Sequence, residues 1–166
     1  MLRRVLLSGF VSACVVAAGC GSGEDSENTD AAGHAYLFVQ SATEGTYRAG
    51  ALTLAGIAPT TTWFTSRPDR QSGDVPHDVF IESWSQSADS FAEDPPNAGL
   101  VFTSGGEQSV AVVELTEPSL TNGEFRYRIR VLDGEVPESF SDVAVFIDSG
   151  GLMQLVAYGA QDVPLN

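Results

Sequence analysis

The chain of 166 residues contains no lysine, and its eight arginines face 22 acidic side chains, for a formal charge of −14. A protein that tracks a nucleic-acid backbone needs a basic stripe to displace counterions, so this composition excludes nucleic acid as a partner. An anionic membrane surface would repel the chain too. Cysteine is scarce, with Cys14 and Cys20 both in the first twenty residues. There is no internal repeat, no G-x-S-x-G elbow, no H-E-x-x-H pair and no phosphate loop followed by Lys and Ser or Thr. The Gly105-Gly106 and Gly150-Gly151 pairs therefore read as turns. No cofactor is implied. What is present, 43% hydrophobic and 18% charged residues, is the composition of one globular domain.

The only long apolar run opens the chain. Arg3 and Arg4 precede a stretch from Val5 to Ala18, shorter than the roughly 20 residues a membrane-spanning helix needs. It reads as an export signal. Ala17-Ala18-Gly19-Cys20 resembles the lipobox of bacterial lipoproteins, which implies removal of residues 1–19 and acylation of Cys20. A cut before Cys14 also fits the loose pattern, but it would leave Val15-Val16-Ala17-Ala18 on the new end, whereas a polar segment follows Cys20 directly. Cleavage at Cys20 leaves 147 residues with six arginines against the same 22 acids, a formal charge of −16, and no cysteine free to cross-link the domain. A stable anchor takes more than one acyl chain. Gly21 stands where the inner-membrane retention signal of many Gram-negative lipoproteins has Asp, so in such a cell the expected address is the outer membrane.

Residues 20–33 form an acidic tether with too little apolar surface to offset the entropy of ordering. Glu24, Asp25, Glu27 and Asp30 offer oxygen ligands without the spacing of a calcium loop. Residues 34–166 form the domain. Phe125-Arg126-Tyr127-Arg128-Ile129-Arg130-Val131 alternates strictly, with apolar residues on one face and three arginines on the other. Those arginines have two readings, an anionic partner or opposite charges on the neighbouring strand. The run at 109–115 precedes this strand through a loop that holds Pro118 and the Asn122-Gly123 turn. Further strands are expected at 35–40, 47–54, 60–65, 79–84, 99–103, 143–148 and 153–158, about nine in all, with one short helix at 85–92. The fold class expected is all-β, an antiparallel β-sandwich or partly open barrel with at most one short helix.

The middle third is the most distinctive. Trp63-Phe64-Thr65-Ser66-Arg67-Pro68-Asp69-Arg70 is followed by Trp84 and by Phe91-Ala92-Glu93-Asp94-Pro95-Pro96-Asn97-Ala98. This resembles a family of small secreted bacterial proteins with a W-F-x-x-R-P-x-R, W, F-x-x-D-P-P-N-A signature. The likeness runs from about Tyr36 to Glu114, and implies an exported all-β domain with no catalytic roles to carry over.

The residues themselves support two stories. In one, Arg67 and Arg70 present guanidinium forks to a carboxylate or phosphate, with Asp69, His77, Trp84, Asp94 and Asn97 completing a binding region. In the other, the arginines pair with Asp69, Asp74 or Asp94 to pin a loop, the tryptophans fill the core, and Asp94-Pro95-Pro96-Asn97 is a rigid turn. A nucleophilic triad would have to use His77, since His34 precedes the domain core, with Asp78 or Asp94 as its orienter and a serine that no motif identifies. The expected function is a lipid-anchored envelope protein that binds another envelope component or a small anionic ligand. A small hydrolase using His77 and nearby carboxylates, and a calcium-stabilised surface domain, are the alternatives.

Overall fold

The computed structural model describes residues 35–86 and 90–149. The expected export signal, Cys14, Cys20, the expected tether with its four carboxylates, His34, the Gly150-Gly151 turn and the strand expected at 153–158 lie outside them. The described elements are β1 (Tyr36–Arg48), β2 (Ala51–Ile57), β3 (Thr60–Thr65), β4 (Ser72–Pro76), α1 (His77–Ser83), β5 (Asn97–Ser104), β6 (Glu107–Thr121), β7 (Glu124–Asp133) and β8 (Ser139–Asp148). Among the described residues the protein is all-β and antiparallel with one short helix, as its sequence pattern predicts.

All eight strands share one sheet, ordered β2-β7-β6-β5-β8-β1-β3-β4. An additional pairing of β1 with β2, Ala42 opposite Ile57 through Arg48 opposite Ala51, joins the ends of a ring. Six strands close in the order β1, β2, β7, β6, β5, β8, and the β3–β4 hairpin branches from the first half of β1, where Phe38 stands opposite Trp63. Opposite walls of this ring pack like the two layers of a sandwich. Three of its hairpins turn on two residues with positive φ, Ala49-Gly50, Gly105-Gly106 and Asn122-Gly123, the geometry whose twist matches paired strands.

The core is the inward half of each alternation. Phe38, Leu52, Leu54, Leu100, Phe102, Val113, Leu115, Phe125, Tyr127, Val145 and Ile147 are all essentially inaccessible. Each large apolar side chain buried there stabilises the fold by about 1.5–3 kcal/mol.

Four local expectations need correction. The run at 47–54 is two strands, because Ala49-Gly50 turns the chain back on itself. The run at 79–84 is not a strand but falls mostly in α1, and of the helix expected at 85–92, residues 85–86 and 90–92 are not helical, while 87–89 lie outside the described residues. The buried positions of α1, His77, Phe80 and Ser83, together with Trp84 at the C-cap, follow a helical spacing, and β-branched Val79 and Ile81 obscured it. Pro118 is not in a connecting loop. It sits inside β6 at a register shift between Thr116 and Ser119, next to Glu117 at φ 51°, and such a bulge accommodates its missing N–H. β4, a short strand of small and polar residues, was not foreseen at all.

Near the end of the ring that holds the β1–β2 turn, β1 and β8 change face together. Burial passes from Ala42 to Gly45 on one strand and from Val143 to Phe140 on the other, across Thr43 and Asp142. Asp142 has a φ of 50°. The change turns Phe140 onto Phe102, with ring centres 4.9 Å apart, and the ring lies directly over Gly45, its strand partner. A Cβ at residue 45 would run into that ring. Gly45→Ala should therefore lower stability by about 1–3 kcal/mol, measured by urea unfolding, with the strand signature of the far-UV spectrum retained.

Candidate functional site

A chain of hydrogen bonds crosses the core from β7 to the helix. The Tyr127 hydroxyl donates to Gln40 Oε1 at 2.8 Å, and Gln40 Nε2 donates to Thr61 Oγ1 at 3.0 Å. Thr61 Oγ1 lies 3.1 Å from His77 Nδ1, and His77 Nε2 lies 2.6 Å from the Ala58 carbonyl oxygen. A carbonyl only accepts, so Nε2 carries a proton, and in the neutral ring Nδ1 accepts from the Thr61 hydroxyl. Tyr127, Gln40, Thr61 and His77 are all buried, and no buried side-chain polar atom among the described residues lacks a partner.

His77 is thus occupied on both sides and shielded by the Phe125 ring, 5.3 Å away edge to face. No described carboxylate bonds to it. Asp78 Oδ1 accepts from the N–H of Val79, and Asp74 Oδ1 accepts from the Thr62 hydroxyl. Trp84 is equally internal, packed on Phe91 at 4.8 Å, Phe80 at 5.8 Å and Tyr127 at 5.9 Å. Trp63 is buried over Gly73, where a Cβ would approach its indole to 2.8 Å.

The other candidates are on the surface. Arg67, Asp69 and Arg70 are exposed on the loop joining β3 to β4. That loop is held at its base by Thr65 and Gln71, whose N–H groups bond the Gln71 carbonyl at 2.9 Å and the Thr65 hydroxyl at 2.8 Å. The Arg67-Pro68 peptide is cis, and Arg70 has a φ of 51°. Asp69 acts on Tyr36, whose phenol is raised above its ordinary value first by burial and then by that carboxylate. Asp94 and Asn97 are exposed at the start of β5, where the Asp94 N–H bonds Ser90 O at 3.0 Å and Asn97 stands opposite Glu114.

The described arginines divide sharply. Arg48 reaches Glu138 at 3.7 Å, Arg126 bonds Glu124 at 2.7 Å, Arg128 bonds the Ala49 carbonyl at 3.3 Å, and Arg130 grips its cross-strand partner Glu114 at 2.6 and 3.1 Å. The Arg130 hydrogen bond holds the Glu114 carboxyl below the usual range. Of the three arginines on that strand face, Arg130 has the cross-strand carboxylate that the sequence allowed, Arg126 pairs with Glu124 on β7 itself, and Arg128 donates to a backbone carbonyl. Arg67 and Arg70 make no ion pair with any described carboxylate.

Sequence reasoning passed over Gln40, Thr61 and Tyr127. The signal was available, since Gln40 alternates with Phe38 and Ala42 on what is otherwise an apolar face of β1. Among the described residues no group of three or more His, Cys, Asp or Glu side chains is arranged to hold a metal ion. No helix among them is long and apolar enough to cross a membrane. No family profile, curated protein or solved structure matches the chain.

Burial pushes the Tyr127 phenol well above its ordinary value of 10. The folded state therefore holds a proton that the unfolded chain releases, so its contribution is intact below about pH 10 and is lost as the pH rises further. Tyr127→Phe should lower stability at neutral pH by about 1–3 kcal/mol, because Gln40 Oε1 loses its donor. The same change should flatten the alkaline fall, seen as a shallower loss of urea-unfolding free energy between about pH 9 and 11.

Proposed function

We propose that the chain is an exported binding module, tethered to the cell envelope by a lipid on Cys20, that presents Arg67 and Arg70 to an anionic group on an envelope component or a small ligand. The observation that carries this reading is the division among the arginines. Four of them are spent on carboxylates or a carbonyl of the protein, while the two that share one short loop face solvent. In a protein this acidic, a pair of uncommitted guanidinium groups is where an anion would be drawn. The apolar signal, the small residues before Cys20 and the polar tether support the anchored, exported location, with the outer membrane as the address in a Gram-negative cell. Kinship with the small secreted bacterial proteins that share the W-F-x-x-R-P-x-R signature belongs to the same reading.

The hydrolase alternative draws no support from His77, whose two ring nitrogens are already engaged inside the core. A general base must come within hydrogen-bond reach of the proton it removes.

Two measurements test the proposal. Cys20→Ser should move the protein from the membrane fraction to the soluble fraction, and retention on the membrane would refute the anchor. Titration of the native protein with inorganic phosphate and with acetate should shift amide resonances of residues 66–71. The combined Arg67→Ala and Arg70→Gly variant should abolish those shifts while stability stays within about 1 kcal/mol, since surface positions tolerate change and glycine suits a positive φ. A loss of several kcal/mol would instead mark the arginines as structural.

A further inference from the structure

Among the described residues seven large hydrophobic side chains are exposed, and six of them lie on one outer face of the sheet: Leu37, Phe64, Phe146, Val112, Val110 and Leu132, between 37 and 60% accessible. The strand register makes them contiguous. Phe64 stands opposite Leu37, Val39 opposite Phe146, Phe146 opposite Gly99, and Gly99 opposite Val112. Ala144, Val101 and Val110 form the next row, and Leu132 occupies the register shift beside Val112. A continuous apolar face of this kind on a soluble fold marks a contact surface. The helix does not cover it, since α1 packs inward through Phe80 on Phe38.

Gly99 sits in the middle of the central row. A Cβ there would meet only Phe146 Cβ at 4.0 Å, an ordinary contact, and the backbone is not left-handed. Nothing in the described packing or backbone calls for glycine. Glycine within a strand marks a bulge, a bend or the close approach of another backbone, and Gly99 is paired in register with Phe146 and Val112, away from the shift at Val101 and Thr103.

We propose that this face is the docking surface for the chain's own segment 152–158, Leu-Met-Gln-Leu-Val-Ala-Tyr. That segment is apolar at every position but Gln154. β8 delivers the chain to the edge of the face, for Asp148 stands opposite Leu37, and Ser149 is fixed to Tyr36 by bonds of 3.0 Å to its carbonyl and 2.7 Å from its N–H. Gly150 and Gly151 alone separate this point from the segment, and paired glycines allow a sharp reversal. Seven extended residues reach about 23 Å, while the step from β1 across β8 and β5 to β6 is about 14 Å. A second copy is the weaker occupant, because two chains of formal charge −14 repel.

Photo-cross-linking of the full chain tests the assignment. With p-benzoylphenylalanine replacing Val110, the most exposed residue of the face, the expected product is intramolecular and maps to residues 152–158. A cross-link to a second copy, to another protein or to lipid, or the absence of any adduct on that segment, overturns the proposal. Gly99→Leu should fill the central gap and reduce the intramolecular yield by at least about fivefold, with an unchanged strand spectrum. An undiminished yield would overturn the part assigned to Gly99.

Discussion

β1 is the strand on which the architecture depends. Over thirteen residues it pairs with β8 along one edge, with β3 over the first half of its other edge and with β2 over the second half. Its inward side chains Phe38, Gln40 and Ala42 enter the core at the same time. Closing the ring removes edges that would otherwise expose unpaired backbone groups, and the fold achieves this without a disulfide among the described residues. The buried chain from Tyr127 through Gln40 and Thr61 to His77 then ties one wall, the branch hairpin and the helix together. Apolar packing sets how tightly these parts associate, and the directional bonds set their relative orientation.

Much of the fold was legible in the sequence because period-two alternation is a direct consequence of strand geometry. The Phe125 to Val131 run, the 60–65 strand and the Asn122-Gly123 turn could be placed from local chemistry alone. What could not be read was non-local. Ala49-Gly50 is an unremarkable dipeptide until its neighbours pair, and Val79 to Trp84 carries a helical stripe beneath strand-like composition. β4 is legible only through its partner Thr60–Thr65, since a strand of Ser, Gly, Asp, Val and Pro has little preference of its own.

The candidate residues split along the same line. Arg67 and Arg70, for which the sequence allowed either an anion contact or a salt-bridged loop, are exposed and form no ion pair with a described carboxylate. His77 and Trp84, equally suggestive in sequence, are internal, because residue type alone does not say whether a ring faces solvent or core. The W-F-x-x-R-P-x-R segment shows both outcomes within a few residues, with Trp63 buried over Gly73, Phe64 on the outer face and both arginines in water.

The register of β1 against β8 also governs the order in which the chain can assemble. Leu37, near the start of the described fold, stands opposite Asp148, near its end, while the β1–β2, β5–β6 and β6–β7 hairpins need only neighbouring sequence. Local hairpins form cheaply, but the seam that completes the ring must wait for the last described strand and carries the largest loop-closure cost. The ring therefore cannot close until β8 has been made, and that closure joins the first and the last of the described strands.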